Sequence, residues 1–296
     1  MQSTDIHTSH VELIRSESQR LKEYLNTLPP EALERPSPCE MWDVGEVIAH
    51  LEWFAETYGG MMARGLRGDL SPTEGFPETP GKLSGFDGAE LYGQAAIERR
   101  RSLGQNLLPA FNERYDWLIE MLKGIGPEDW DKPCYHQVRI RSVESFLATI
   151  IIELAVHEWD IRSTLEPSAS LSENSIPTLL ERIRGNRGDR PPWSTPFPTN
   201  PTSPGPMRFR FKLTGAGAKN LDVIVEDNKA RLETAEEAPA SFSISCDTST
   251  FVLLMWGRIS LESAKATGRL TAEGEQSQIT DFERWFTLVP PQPPSF

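Results

Sequence analysis

The stretch ATIIIELAVHEWDIR, residues 148–162, decides how this chain is read. It describes a helix buried on much of its circumference, yet a glutamate follows directly after three isoleucines and a histidine comes four residues later. Residues i and i+4 share a helix face, so Glu153 and His157 project together, beside the core-like Phe146, Thr149 and Ile150. Ionised carboxylates are almost never buried unless paired or bound to metal. Helical bundles use inward-pointing carboxylate and imidazole side chains at this spacing as metal ligands. His50, set among Val47, Leu51 and Phe54 in EVIAHLEWF, is the natural third group from a facing helix. Two imidazoles and one carboxylate form a borderline N/O set that suits Zn(II), and three protein ligands leave a position open, as at catalytic zinc. From the residues alone, satisfied core histidines or a salt-bridged Glu153–His157 pair fit the same pattern. The competing pair is Cys134 and His136 in KPCYHQVRIRS, a connection where a histidine is expected to be solvated. His7 and His10 stand at the start of the first helix and are expected to face solvent.

Working outward, 296 residues suggest two domains or one large one, and 38% hydrophobic residues suffice for an ordinary core. A formal net charge of −13 argues against a nucleic-acid partner, which needs clustered Lys and Arg. Cys39, Cys134 and Cys246 are odd in number, far apart and without CxxC spacing, so a disulfide framework is not expected and a reducing compartment fits. The N-terminal segment lacks the basic and apolar regions of a signal peptide. No apolar run approaches the roughly 20 residues that span a bilayer. The expectation is a cytoplasmic protein acting on a small molecule, with neither nucleic acid nor membrane as partner.

Apolar periodicity predicts a helix over 8–28, stopped by Pro29 and Pro30, and a second over 43–65 opened by an Asp43–Glu46 capping box. A Gly-, Pro- and Ser-rich loop covers 66–87. A third helix runs over 88–124 with a break near Gly104 or Pro109, and a fourth over 142–164 with Ser142 as cap. These four helices make an all-α four-helix bundle. The proline-rich stretch 187–207 reads as a semi-rigid linker or arm. Beyond it the period changes to two: strands at 209–213, 221–227 and 240–247, helical segments at 251–256 and 261–266 separated by Gly257, a last strand at 270–275 and a closing helix over 277–289. The fold expected is multi-domain: a metal-binding bundle over 1–186, a Pro-rich linker over 187–206 and a small α+β domain over 207–296.

CEMWDVGEVIAHLEWF, residues 39–54, resembles the W-x-V-x-x-L-x-x-H-L signature of the mycothiol-dependent maleylpyruvate isomerase family, within the DinB-like superfamily. IIELAVHEWDIR, residues 151–162, resembles that family's E-x-x-x-H-x-x-D block. Residues 207–287, above all SISCDTSTFVLLMWGRISLESAKATGRLTAEGE, are similar to the sterol-carrier-like C-terminal domain of many members. The chain departs from the family pattern at Gly45–Glu46–Val47, in the long 66–110 region and in the proline arm. The last two bear on the substrate more than on the metal.

The resemblance implies that His50, Glu153 and His157 ligate a divalent metal, usually zinc. It implies that Asp160 accepts the free ring N–H of a ligand histidine. The alternative for Asp160 is a surface pair with a nearby arginine. Arg162 would neutralise Asp160 or hold a substrate carboxylate, and Arg139 and Arg141 are further candidates for that carboxylate. Family members use a low-molecular-weight thiol, mycothiol or an equivalent, as cosubstrate. The implied enzyme adds a metal-generated thiolate to an activated double bond, as a cis–trans isomerase or a thiol S-transferase. Two other functions compete. One is an apolar small-ligand-binding protein with a non-catalytic metal site, its cavity lined by FVLLMW (251–256). The other is a metal-dependent hydrolase with Glu158 or Asp160 as base.

Overall fold

A computed structural model describes residues 3–39, 41–81, 85–184, 205–227 and 229–286. The chain divides into two compact units, Met1–Ala169 and Ser170–Phe296. No helix among the described residues is long and apolar enough to cross a membrane.

The first unit is built from helices α1 (Ser3–Leu25), α2 (Val44–Leu66), α3 (Gly85–Leu103), α4 (Leu107–Lys123) and α5 (Leu147–Ser163). A two-residue hairpin, β1 (Pro133–Cys134) against β2 (Arg141–Ser142), precedes α5. Helix α2 begins as the sequence predicts. The Asp43 carboxylate accepts from the Glu46 N–H at 2.7 Å, and the Glu46 carboxylate accepts from the Asp43 N–H at 2.8 Å. Two donors that the first turn cannot pair internally are thereby satisfied.

The predicted third helix breaks at Gly104, which takes a φ of +52° that glycine alone adopts without strain. The helix restarts at Leu107, so Pro109 falls in the first turn of α4, where its missing N–H costs nothing. The fourth helix opens differently from the expectation. Residues Val143–Phe146 form a 3₁₀ turn and α5 starts only at Leu147. The Ser142 side chain makes no cap there, and its carbonyl accepts the Ser145 hydroxyl instead.

Helices α1, α4, α2 and α5 close a ring of neighbours, and α3 lies against α2 outside it. The seam is apolar: Ile14 and Leu21, Val47, Ile48 and Leu51, Phe111 and Leu118, and Ile150 and Ile151 are fully buried. Two buried carboxylates tie helices together through guanidinium groups. Glu52 on α2 meets Arg99 of α3 and Arg114 of α4. Glu158 on α5 meets Arg20 of α1 and Arg162 of its own helix. His7 corrects the expectation of a solvated histidine. Because α1 starts at Ser3, His7 already lies inside the helix; it is buried, pairs with Glu144 at 2.9 Å and stacks on Trp130.

The second unit holds a five-stranded sheet of order β5-β4-β3-β6-β7. Its strands are β3 (Met207–Thr214), β4 (Leu221–Glu226), β5 (Lys229–Thr234), β6 (Phe242–Asp247) and β7 (Leu270–Gly274). Strands β3 and β6 run parallel at the centre and the other pairs are antiparallel. Helices α6 (Ile176–Arg184), α7 (Thr248–Met255), α8 (Leu261–Ala266) and α9 (Gln276–Phe286) complete it. Strand β5 and helix α6 are additions to the sequence reading. Helix α6 contacts α7 and β5 and falls in the second unit, whereas the division at residue 186 assigned it to the first. The proposed linker lies almost wholly outside the described residues.

Gly65 lies where α2 packs against the hairpin. A Cβ added there would stand 2.7 Å from the Pro133 carbonyl oxygen and also collide with the Cys134 sulfur. Gly65→Ala is expected to destabilise the first unit by about 1–3 kcal/mol through overpacking. A lowered urea midpoint with an unchanged slope would register it, and an unaltered midpoint would refute the close contact.

Candidate metal centre

His50 projects from the second turn of α2 toward Glu153 and His157 on α5. The His50 Nε2 stands 3.0 Å from the Glu153 Oε2, and the His157 Nε2 stands 3.2 Å from the same oxygen. The two imidazole rings meet edge to face with centroids 4.8 Å apart. Both histidines are buried, while the Glu153 side chain keeps 27% of its surface exposed and marks the open side. Trp42 lies over His50 with ring centroids at 4.8 Å, and Phe54 lies at 6.2 Å.

Two features of this arrangement fit a divalent cation. The first is spacing. Ligand atoms about 2.0–2.1 Å from zinc at tetrahedral angles stand about 3.4 Å from one another. The contacts of 3.0 and 3.2 Å are close to that edge. The second is proton placement. The His157 Nδ1 lies 2.8 Å from the Asp160 Oδ2 and donates to it. A neutral His157 then turns a bare Nε2 lone pair toward the Glu153 carboxylate, a repulsive contact that only a proton or a metal ion relieves. His50, by contrast, has no such outer partner: its Nδ1 is buried without a hydrogen bond among the described residues.

Burial and hydrogen bonding oppose each other at these groups. Burial alone would raise the pKa of Glu153, but hydrogen bonds from His157 and His50 outweigh it and hold the carboxyl well below the usual range. Burial alone would lower the pKa of His157, but its bonds with Asp160, Cys39 and Glu153 win and raise it well above the ordinary imidazole value. For His50 burial prevails and the pKa is lowered.

Asp160 is fully buried, which excludes the surface-pair alternative. Its Oδ2 also accepts from the Cys39 thiol at 3.2 Å, and the Cys39 Sγ lies 4.0 Å from the His157 Nδ1. Cys39, His157 and Asp160 thus form a second close group sharing one histidine with the first. Sequence reasoning missed Cys39, because a lone loop cysteine has no spacing partner. Its only signal was its place three residues before Trp42.

Arg162 is a correction. Its guanidinium bonds Glu158 at 2.7 Å and Glu166 at 3.5 Å and lies 3.7 Å over the Tyr24 ring, so it serves neither Asp160 nor the centre. Residues two apart on a helix point about 200° from each other, which turns Arg162 away from Asp160. Arg141 is bound to Ser145 and Thr149 and lies over Phe146, and Arg139 is exposed. Glu158 is held by Arg20 and Arg162, which removes it as a hydrolytic base, and Asp160 is committed to His157. His136 is buried rather than solvated, and it does not join Cys134 in any potential metal group among the described residues. Burial raises the Cys134 thiol to a pKa of about 11.

The family model described as "Mycothiol maleylpyruvate isomerase N-terminal domain" matches residues 14–162, which include all three converging groups. The chain belongs to the mycothiol-dependent maleylpyruvate isomerase family. A model of the SCP-2 sterol transfer family matches residues 206–287. Among solved structures, a mycothiol-dependent maleylpyruvate isomerase is similar with a TM-score of 0.62 and 14% identity, over 91% of this chain and 94% of that one. A histidine-to-alanine mutant of that isomerase gives the same TM-score, identity and coverage. At such identity the likeness concerns the fold, in which a helical domain precedes a small α+β domain. A comparison with curated proteins found no significant match.

Asp160→Asn is expected to weaken zinc binding by about 10–100-fold, the usual cost of losing the carboxylate behind a ligand histidine. Chelator competition measures it, and unchanged affinity would remove Asp160 from the centre.

Proposed function

We propose that the chain is a metal-dependent enzyme using a low-molecular-weight thiol as cosubstrate. The ion is a divalent metal, with zinc best matched to the donors, and His50, Glu153 and His157 hold it. The observation that carries this reading is the convergence of two imidazole Nε2 atoms on one Glu153 oxygen, with Asp160 behind His157. Membership of the family supports the thiol as cosubstrate, mycothiol or an equivalent.

A bound metal supplies a thiolate nucleophile at neutral pH by lowering the thiol pKa. The chain's own residues do the rest. Asp160 holds the Nδ1–H of His157 and so keeps its Nε2 free for ligation. Trp42 and Phe54 close the sides of the imidazoles and exclude water there. The partly exposed Glu153 leaves one approach, by which thiol and electrophile enter. Addition of the thiolate to a cis double bond leaves a single bond that rotates; expulsion of the same thiolate then returns the trans alkene with no net change in composition. Capture of the adduct by a proton instead gives a thiol S-transferase. The hydrolase alternative has lost both of its bases. In α7, Phe251 packs on Phe211 with ring centroids 4.8 Å apart, and burial in the core accounts for that apolar run without a ligand.

The test is metal analysis of the purified chain followed by an isomerase assay with maleylpyruvate and mycothiol. About one metal per chain is expected, with activity absent unless the thiol is added. His157→Ala should abolish metal retention and lower activity by more than about 100-fold, beyond the loss of an outer partner. Full thiol-dependent turnover in that variant would overturn the assignment.

A further inference from the structure

Cys39, His157 and Asp160 gather three donor atoms on the side of His157 that faces away from Glu153. The Cys39 Sγ stands 3.2 Å from the Asp160 Oδ2 and 4.0 Å from the His157 Nδ1, and the Oδ2 stands 2.8 Å from that nitrogen. His157 and Asp160 are three residues apart on α5 and share a helix face. Cys39 is delivered by the loop before α2, and that loop is closed at its base. Pro36 pairs with Asp43 in an isolated bridge, and the Ser37 N–H donates to the Trp42 carbonyl at 3.0 Å. Inside the loop the Cys39 N–H donates to the Ser37 hydroxyl oxygen at 3.1 Å, and the Cys39 carbonyl accepts from the Trp42 N–H at 2.7 Å. The sulfur is therefore presented on a braced turn.

The spacing is that of ligands. Sulfur binds a zinc-like ion at about 2.3 Å and nitrogen or oxygen at about 2.0–2.2 Å, so three such donors around one ion lie about 3–4 Å from each other. The contacts of 2.8, 3.2 and 4.0 Å are close to that range. An ion here needs no cavity, because it stands where the thiol and ring protons lie between the donors. Asp160 is fully buried and His157 nearly so, whereas Cys39 is partly exposed and gives the ion its way in. One sulfur, one nitrogen and one oxygen make a softer set than the two nitrogens and one oxygen of His50, Glu153 and His157. Thiolate in the set selects thiophilic ions.

His157 has a neutral form for each side. With the proton on Nδ1, given to Asp160, the Nε2 lone pair faces Glu153. With the proton on Nε2, that N–H donates to the Glu153 Oε2 across the same 3.2 Å, and the Nδ1 lone pair faces Cys39 and Asp160. Each form keeps one hydrogen bond to a carboxylate. A neutral imidazole has a single nitrogen lone pair, so an ion on Nδ1 takes His157 away from an ion on Nε2.

We propose that Cys39, His157 through its Nδ1, and Asp160 form a second metal position, selective for a thiophilic divalent ion such as cadmium, and that its occupation excludes the metal held by His50, Glu153 and His157. On binding, a metal–sulfur and a metal–nitrogen bond form and the Asp160 Oδ2 supplies the third donor. The thiol proton leaves to solvent and the ring proton passes from Nδ1 to Nε2; no electrons are transferred. The exclusion rests on the reading of His50, Glu153 and His157 as a metal centre, whereas the second position does not.

The test titrates the metal-free full chain with cadmium chloride, without added thiol, and reads the ultraviolet charge-transfer absorption of a cadmium–thiolate bond. Wild type, Cys39→Ser, His157→Ala and His50→Ala are compared, with Cys39→Ala as the replacement should the serine variant fold poorly. Support is a saturable signal in wild type and His50→Ala that is lost without Cys39 and is at least about tenfold weaker in His157→Ala, the least that losing a donor costs. A signal that survives the loss of Cys39 comes from Cys134 or Cys246 and overturns the position. So does a wild type without a signal, a signal lost in His50→Ala, or equal affinity in His157→Ala. Zinc-loaded samples are then given cadmium and the released zinc is read with a chromophoric indicator. Wild type should release zinc at a cadmium concentration at least about tenfold below that needed for Cys39→Ser, and equal release overturns the exclusion. If the chain retains no zinc yet shows the Cys39-dependent signal, the metal-dependent enzymatic reading falls and the second position stands. If zinc binds and thiol-dependent turnover occurs without any cadmium signal, the second position falls and the enzymatic reading stands.

Discussion

One carboxylate oxygen shared by two imidazoles, across the contact of α2 with α5, is the constraint around which the first unit is organised. Glu52, Glu153 and Glu158 on these two helices differ in exposure and in the partners they meet. Glu52 and Glu158 are each met by two guanidinium groups. Glu153 is met by His50 and His157, whose charges depend on protonation. A buried carboxylate needs compensation, and arginine supplies it permanently. Imidazoles supply it only with a proton or by sharing a cation, so the chain spends its fixed positive charge elsewhere and leaves this one carboxylate available.

Holding the oxygen and the two nitrogens together demands that α2 and α5 keep their registration to a few tenths of an ångström. The surrounding structure serves that end. The capping box sets where α2 begins, six residues before His50. The apolar seam of Val47, Ile48 and Leu51 packs the same turns that carry His50. On the other side Ile150, Ile151 and Leu154 bracket Glu153 with fully or almost fully buried side chains. Asp160 then fixes the orientation of His157 through its Nδ1, and the Cys39 thiol shares the same carboxylate oxygen. The centre therefore extends from the loop before α2 to the last turns of α5.

Much of the fold was legible because its periodicities are strong. Leucine, isoleucine and valine at steps of three and four named the helices, and alternation named β3, β4 and β6. Strand β5 was not legible: among the described residues Lys229–Thr234 pairs with β4 alone and carries the charged Arg231 and Glu233, so its pattern is that of a solvated edge. Helix α6 is short, and nothing in its nine residues says on which unit it packs. The burial of His7 and His136 depends on Trp130, Glu144 and Tyr58, which come from distant parts of the chain.

By itself the sequence determined that Glu153 and His157 share a face, because a helix repeats every 3.6 residues whatever surrounds it. It also determined where α2 starts, because a capping box is a local bond between residues three apart. Only the tertiary structure decided which groups come to that face from elsewhere. His50 arrives from α2 and Cys39 from the loop before it, while Arg162 leaves for Glu158 and Tyr24. These outcomes turn on the packing of helices separated by about a hundred residues of chain, and local periodicity carries no term for which side chain a neighbouring helix presents.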